Sequence, residues 1–248
     1  MNNAMNAVPA SALAPVLDLQ QVSFRWRREL PPVLTIPAFE MAAAERMFLA
    51  GPSGAGKSTL LALIAGIAVP QKGDVKVLGH SLPGLGAAAR DRFRADHLGI
   101  IFQMFNLLPY LPVLENVMLP CRFSSARRQQ AITRDGSQEA QARRLLGALG
   151  LQADTLLRRP VTELSVGQQQ RVAAARALMG APDLVIADEP TSALDADRRL
   201  EFVELLTQEC DASGAALLFV SHDLSLAGRF QRQLNLAEIN EALPEGAA

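Results

Sequence analysis

Lysine is almost missing from this sequence. Only Lys57, Lys72 and Lys76 occur in 248 residues, so arginine carries nearly all of the positive charge. The formal net charge of −1 leaves no basic footprint, which argues against nucleic acid as a partner. Cysteine is scarce too: Cys121 and Cys210 build no disulfide framework and fit a reducing cytosol. No run reaches the roughly 18 uninterrupted apolar residues that a membrane crossing needs. A soluble chain is therefore expected, one that another subunit must recruit if it works at a membrane. Residues 1–15 lack the basic start and long apolar core of a secretion signal and read as a mobile tail. No internal repeat is visible, and the sequence stops soon after its last core-like run, which predicts no added C-terminal regulatory domain.

What is present is a core's worth of apolar residues, 49% of the sequence, over a length that suits one large α/β domain with a smaller subdomain. The sharpest motif is Gly51-Pro52-Ser53-Gly54-Ala55-Gly56-Lys57-Ser58-Thr59, which fits G-x-x-x-x-G-K-[ST] and follows the strand-like run Met47-Phe48-Leu49-Ala50. Its glycines let the backbone curl so that successive N–H groups face a phosphate, and a helix predicted over residues 58–65 adds its positive end. Lys57 suits the β- and γ-phosphates, and the Ser58 hydroxyl suits Mg2+. The plainer alternative, a glycine-rich turn before a core helix, has to accept a chance match on the order of one per cent for a chain this long.

Further along, Leu184-Val185-Ile186-Ala187 ends in Asp188 and Glu189. An unbroken apolar run reads as a buried parallel strand. Carboxylates at its end are costly unless they meet a cation: Asp188 can hold the magnesium shell while Glu189 polarises an attacking water. Between the two lies Leu164-Ser165-Val166-Gly167-Gln168, a serine and a glycine opening a helix that continues through Met179, with Val172, Ala175 and Leu178 or Met179 at helical spacing for a core.

These three elements resemble those of the ATP-binding cassette (ABC) ATPases, and the resemblance runs from about residue 16 to 236. It implies a P-loop NTPase core of the RecA-like kind, with an antiparallel β subdomain and an inserted α-helical subdomain at about 87–164, inside a domain of 16–240 flanked by tails at 1–15 and 241–248. It implies that ATP with Mg2+ is sandwiched between two copies, the signature Ser165, Val166, Gly167 and Gln168 of one copy completing the site of the other. Glu189, His222 and Lys57 are the implied catalytic residues. Trp26 is implied to stack on adenine beside residues 51–59, Asp195 to couple the two sites, and Ser58, Gln103 and Asp188 to serve the metal. The commonest signature has glycine where this chain has Val166, but Ser165 and Gly167, the pair that would touch the opposing phosphate, are both retained. Taken alone, a glutamine or histidine is more often a surface residue and a tryptophan more often core; Phe24 is a rival to Trp26.

Organisation can be placed coarsely. Residues 16–50 alternate around Pro31-Pro32 and suit antiparallel strands, residues 73–78 another strand, and 87–164 turn helical. Within that stretch 122–138 reads as an exposed loop or helix extension, and the pairs Arg127-Arg128 and Arg143-Arg144 as solvated helix faces. The segment from Leu98 through Gln103 to Pro109, and the ending His222-Asp223-Leu224-Ser225, are similar to the lipoprotein-releasing and macrolide-efflux ATPases. That group implies a four-helix permease with a large periplasmic domain, possession of a periplasmic adaptor in some systems, and residence at the cytoplasmic face of the bacterial inner membrane. Met104, Phe105, Leu107 and Leu108 then read either as the docking patch or as ordinary core. Two other classes remain in play: a non-transport relative that regulates cell-wall remodelling at division, and the energising subunit of a binding-protein-dependent importer. A DNA-repair or translation ATPase fits poorly, since coiled coils, zinc cysteines and a second cassette are missing.

Overall fold

The computed structural model describes residues 14–151 and 153–242. Most of both predicted tails therefore lies outside the described residues. The chain runs through β1 (Leu17–Phe24), β2 (Leu34–Met41), β3 (Arg46–Ala50), α1 (Lys57–Ile64), β4 (Lys72–Val77) and β5 (His80–Ser81). It continues with α2 (Ala87–His97), β6 (Leu98–Ile101), α3 (Val113–Met118), α4 (Pro120–Phe123), α5 (Ser125–Asp135), α6 (Gln138–Ala148) and α7 (Asp154–Leu157). The last part holds α8 (Val166–Leu178), β7 (Leu184–Asp188), α9 (Ala196–Ser213), β8 (Ala216–Val220), β9 (Arg232–Asn235) and α10 (Leu236–Ile239). Among the described residues no helix is long and apolar enough to cross a membrane.

Two sheets carry the fold: a four-stranded antiparallel one in the order β2-β1-β4-β5, and a five-stranded parallel one in the order β6-β7-β8-β3-β9. The alternating 16–50 segment supplies β1 and β2 to the first, while the apolar β3 enters the second. β8 is buried at every position and β7 at all but its last residue, as strands covered on both faces must be. Period-2 alternation then sorts their side chains. Phe48 joins the core shared with the helices α3, α6, α8 and α9, whereas Met47 and Leu49 join the core shared with β1, β2 and α1. Val185, Ala187, Leu217 and Phe219 follow Phe48, and Leu184, Ile186, Ala216 and Leu218 follow Met47.

The helical stretch expected over 87–164 is interrupted, because β6 pairs with β7 in parallel, Leu98 opposite Leu184. The long helical run begins only at α3. Segment 122–138 is not a loop: it forms the end of α4, all of α5, whose N-cap Ser124 accepts from Arg127 N–H, and the start of α6. Arg127 also corrects the expectation of a solvated face. It is 4% exposed, and its guanidinium donates to the carbonyls of Met179 at 2.7 Å, Leu98 at 3.2 Å and Ala177 at 2.6 Å. Those carbonyls lie where α8 ends and β6 begins, where the backbone has acceptors without helical partners. Burial pulls the Arg127 guanidinium down to about 10. Gly180 completes the contact, since its φ of +74° and a Cβ only 2.5 Å from that of Arg127 leave room for glycine alone. By contrast Arg143 and Arg144 stay at the surface, the first paired with Glu139 and Asp154, the second with Asp135 and Glu209.

Candidate active site

The C-terminal end of β3, flanked by β8 and β9, delivers the chain into the loop at Gly51. Gly56 precedes α1 at φ +97°, and a Cβ there would come within 2.9 Å of Leu34 Cδ2, so the chain turns into the helix only with glycine. No side chain caps α1, which leaves its first-turn N–H groups and positive end available to an anion. Lys57 Nζ donates to the Gly51 carbonyl at 2.7 Å and the Pro52 carbonyl at 3.1 Å, folding the ammonium over the loop.

Three neighbouring parallel strands place the other polar groups in a row. Gln103 follows β6, Asp188 closes β7 with Glu189 beside it, and His222 follows β8. With Lys57, Ser58 and Thr59 they line one cavity of about 600 Å³. His222 Nδ1 and Glu189 Oε2 are 2.9 Å apart. Glu189 has φ +46°, a left-handed conformation that costs a non-glycine residue about 1–3 kcal/mol and is held by its N–H bond to the Val220 carbonyl at 3.0 Å. Burial raises the Asp188 carboxyl above the usual carboxylate range; Glu189 pushes it the same way and Lys57 opposes them. Ser58, Gln103 and Asp188 offer oxygen donors of the kind hard divalent cations take. Among the described residues no cluster of three or more His, Cys, Asp or Glu side chains forms a metal site.

Burial separates the two aromatics. Phe24 is 4% exposed and belongs to the core, while Trp26 is 58% exposed and meets it edge to face at 5.0 Å. The indole Nε1–H donates to Thr59 Oγ1 at 3.3 Å. Gln71 fastens the loop by accepting from Arg25 N–H at 2.8 Å and donating to the Arg25 carbonyl at 2.9 Å.

Ser165, Val166, Gly167, Gln168 and Asp195 are not among the residues that line this cavity. Ser165 caps α8 in a reciprocal box with Gln168: its hydroxyl accepts from Gln168 N–H at 3.3 Å and its own N–H donates to Gln168 Oε1 at 3.0 Å. Asp195 caps α9, accepting from Arg198 N–H at 3.0 Å. Val166 is exposed. Sequence reasoning missed Val33, which lines the cavity from the turn before β2, and Arg199, whose guanidinium reaches Asp223 at 2.7 Å. Bonds from Ser225 first, then Arg199, hold the Asp223 carboxyl below its ordinary range. Asp223 adjoins His222 in the sequence and so carried a signal; Arg199 and Val33 carried none.

The patch after Gln103 divides. Met104 is 81% exposed, Phe105 is core, and Leu107 and Leu108 are half-buried. Phe105 and Asn106 take φ of +59° and +49°, which turns the phenyl ring inward, and the Arg176 guanidinium clamps both their carbonyls at 2.6 Å. Phe105 is thus removed from the expected surface patch. Beside it opens a groove of about 660 Å³ lined by Phe102, Asn106, Leu119, Phe123 and Arg176 among others.

The ABC transporter family model matches residues 34–192. The lipoprotein-releasing system ATP-binding protein LolD of Hydrogenovibrio crunogenus is 40% identical over 86% of this chain and 89% of its own length. The uncharacterized ABC transporter ATP-binding protein YbbA of Escherichia coli is 39% identical over 97% of this chain and its full length. Among solved structures, the dimeric post-hydrolysis state of the ATP-binding cassette MJ0796, bound to ADP and Pi, superposes with a TM-score of 0.75 at 30% identity, covering 92% of this chain and 96% of that one. A cavity walled by a phosphate loop and a row of strand-end polar groups, in a P-loop NTPase fold shared with nucleotide-bound cassettes, is what an ATPase of this kind requires, and the chain belongs to the ABC transporter family as its ATP-binding, ATP-hydrolysing domain.

Proposed function

We propose that this chain is the ATP-hydrolysing subunit of a membrane ABC transporter that works on envelope substrates, such as lipoproteins, lipids, peptides or drugs, through a four-helix permease with a large periplasmic domain. The observation that carries the catalytic part is the single cavity shared by Lys57, Asp188, Glu189 and His222. The 40% likeness to a lipoprotein-releasing ATPase supports the transport part.

In this reading the loop amides and Lys57 bind the β- and γ-phosphates, and Ser58, Gln103 and Asp188 hold Mg2+, which supplies charge neutralisation to the phosphates when bound. Glu189 accepts a hydrogen bond from the attacking water and takes its proton as the water oxygen bonds to the γ-phosphorus and the bond to ADP breaks. The Nδ1 contact of His222 fixes the Glu189 carboxylate for that task. Trp26 provides the adenine platform. Two copies close head to tail, so that Ser165 and Gly167 of each meet the γ-phosphate held by the other, and Asp195 communicates between the sites. Dimeric MJ0796 supports such a pairing. Hydrolysis removes the phosphate that both copies grip, and the pair opens.

The helical segment that carries Ser165 would also meet the permease, through the groove lined by Phe102 and Phe123 and through exposed Met104. The protein then sits at the cytoplasmic face of the inner membrane, held there by its partner. The test is to trap Glu189→Gln with ATP in native membranes, purify it gently and identify what accompanies it. A permease of about four membrane helices with a large outer domain is the expected companion; division proteins in its place would overturn the transport reading in favour of cell-wall regulation.

A further inference from the structure

Trp26 is the only tryptophan in the sequence, and unlike tyrosine or phenylalanine it carries a ring N–H. That N–H donates to Thr59 Oγ1 at 3.3 Å. Thr59 is 7% exposed, sits in the first turn of α1 and lines the cavity with Lys57 and Ser58. A hydroxyl that accepts a bond from behind keeps its own proton free to donate elsewhere, and accepting strengthens that donation. The platform is itself braced: Phe24 abuts the indole edge to face, and Gln71 fixes the backbone of Arg25 from both sides.

We propose that Trp26 is a positioning residue for the phosphates as well as a surface for the base: its indole N–H orients Thr59, whose hydroxyl then donates to a phosphate oxygen of the bound nucleotide. The relay runs from indole N–H to Thr59 Oγ, and from Thr59 O–H to phosphate. This rests on the nucleotide reading of the cavity given above. It makes a prediction that stacking alone does not, because stacking acts only on ligands that have a base, whereas the relay acts on any polyphosphate.

The experiment is calorimetric titration of the full chain with magnesium ATP and, separately, with inorganic tripolyphosphate, which has no base. Trp26→Phe keeps an aromatic ring at a largely exposed position and removes the N–H. It is expected to weaken tripolyphosphate by about three- to tenfold, the range one net hydrogen bond supplies, and ATP by at least as much. Thr59→Val is expected to weaken tripolyphosphate to a similar degree, Thr59→Ser to restore it, and Trp26→Phe to add nothing further in the Thr59→Val background. The emission maximum of the one tryptophan should move in Thr59→Val and hold in Thr59→Ser, which reports the bond without any ligand. Trp26→Phe that weakens ATP but leaves tripolyphosphate untouched would overturn the relay, as would additive losses in the double variant. Wild-type protein that binds neither probe would instead overturn the nucleotide reading of the cavity, and the relay with it.

Discussion

The residues at the strand ends and those at the helix starts behave in opposite ways. Gln103, Asp188, Glu189 and His222 stand at or just after the ends of parallel strands and converge on one cavity, whereas Ser165 and Asp195 open helices and spend their side chains on capping them. Neighbouring parallel strands bring their ends together whatever else is present, so the first set is assembled by the fold. A helix start satisfies its own N–H groups with its own cap, so the second set shows no unmet demand within one chain. On the proposed reading, a motif that looks finished as structure is still half of a site.

Breaking the first set should cost most. Glu189→Gln is expected to lower phosphate release by about 10²- to 10⁴-fold, the range of a lost general base, while nucleotide still binds and paired copies accumulate on a sizing column. Ser165→Ala should break only the second set. The cap loss costs about 1 kcal/mol of stability, nucleotide binding by single copies persists, and hydrolysis falls by about 10²-fold. Mixing Ser165→Ala with Lys57→Ala sharpens the contrast: one site per mixed pair is then intact, and activity that neither variant has alone should return. A response no greater than the sum of the two would mean that one copy hydrolyses unaided.

Arg127→Met tests what joins the helical segment to the sheet. It strands three backbone carbonyls in the interior, and a thermal melt should report a loss of about 2 kcal/mol. The smallest effect belongs to neither set. His97 Nδ1 lies 2.7 Å from Asp183 Oδ2, and that bond raises the histidine above its ordinary value in spite of partial burial. A raised histidine stabilises the fold at pH below its unfolded value of about 6.5, and the gain is lost as pH climbs through the folded value. Both groups are half-exposed, so Asp183→Asn should cost under about 1 kcal/mol, seen in melts at pH 5.5 and absent at pH 8.5.

Much of this was legible in the sequence, and what was not has a common cause. The loop at 51–59, the apolar strand before Asp188 and the helical spacing of Val172, Ala175 and Leu178 are local patterns, and local backbone preference decides them. Arg127 misled because charge patterning describes a residue's own helix, while its partners are carbonyls 29 to 52 residues away. The same holds for Phe105, whose inward turn depends on Arg176, 71 residues later. β6 lies inside an otherwise helical stretch, and its membership of the central sheet is a fact about pairing with β7. Between Trp26 and Phe24 the sequence offered two rings two residues apart, and their difference in burial appears only in the folded chain.

The two cores share their strands, and that sharing sets a rule about counting. Met47 and Leu49 face one core and Phe48 the other, so inserting or deleting one residue in β3 would exchange the lobes' side chains at every later position. The phosphate loop begins immediately after this strand. Its distance from any residue of β3 is therefore fixed not only in length but in parity: variation further upstream can be absorbed in the turn between β2 and β3, while β3 itself admits changes of residue and no change of number.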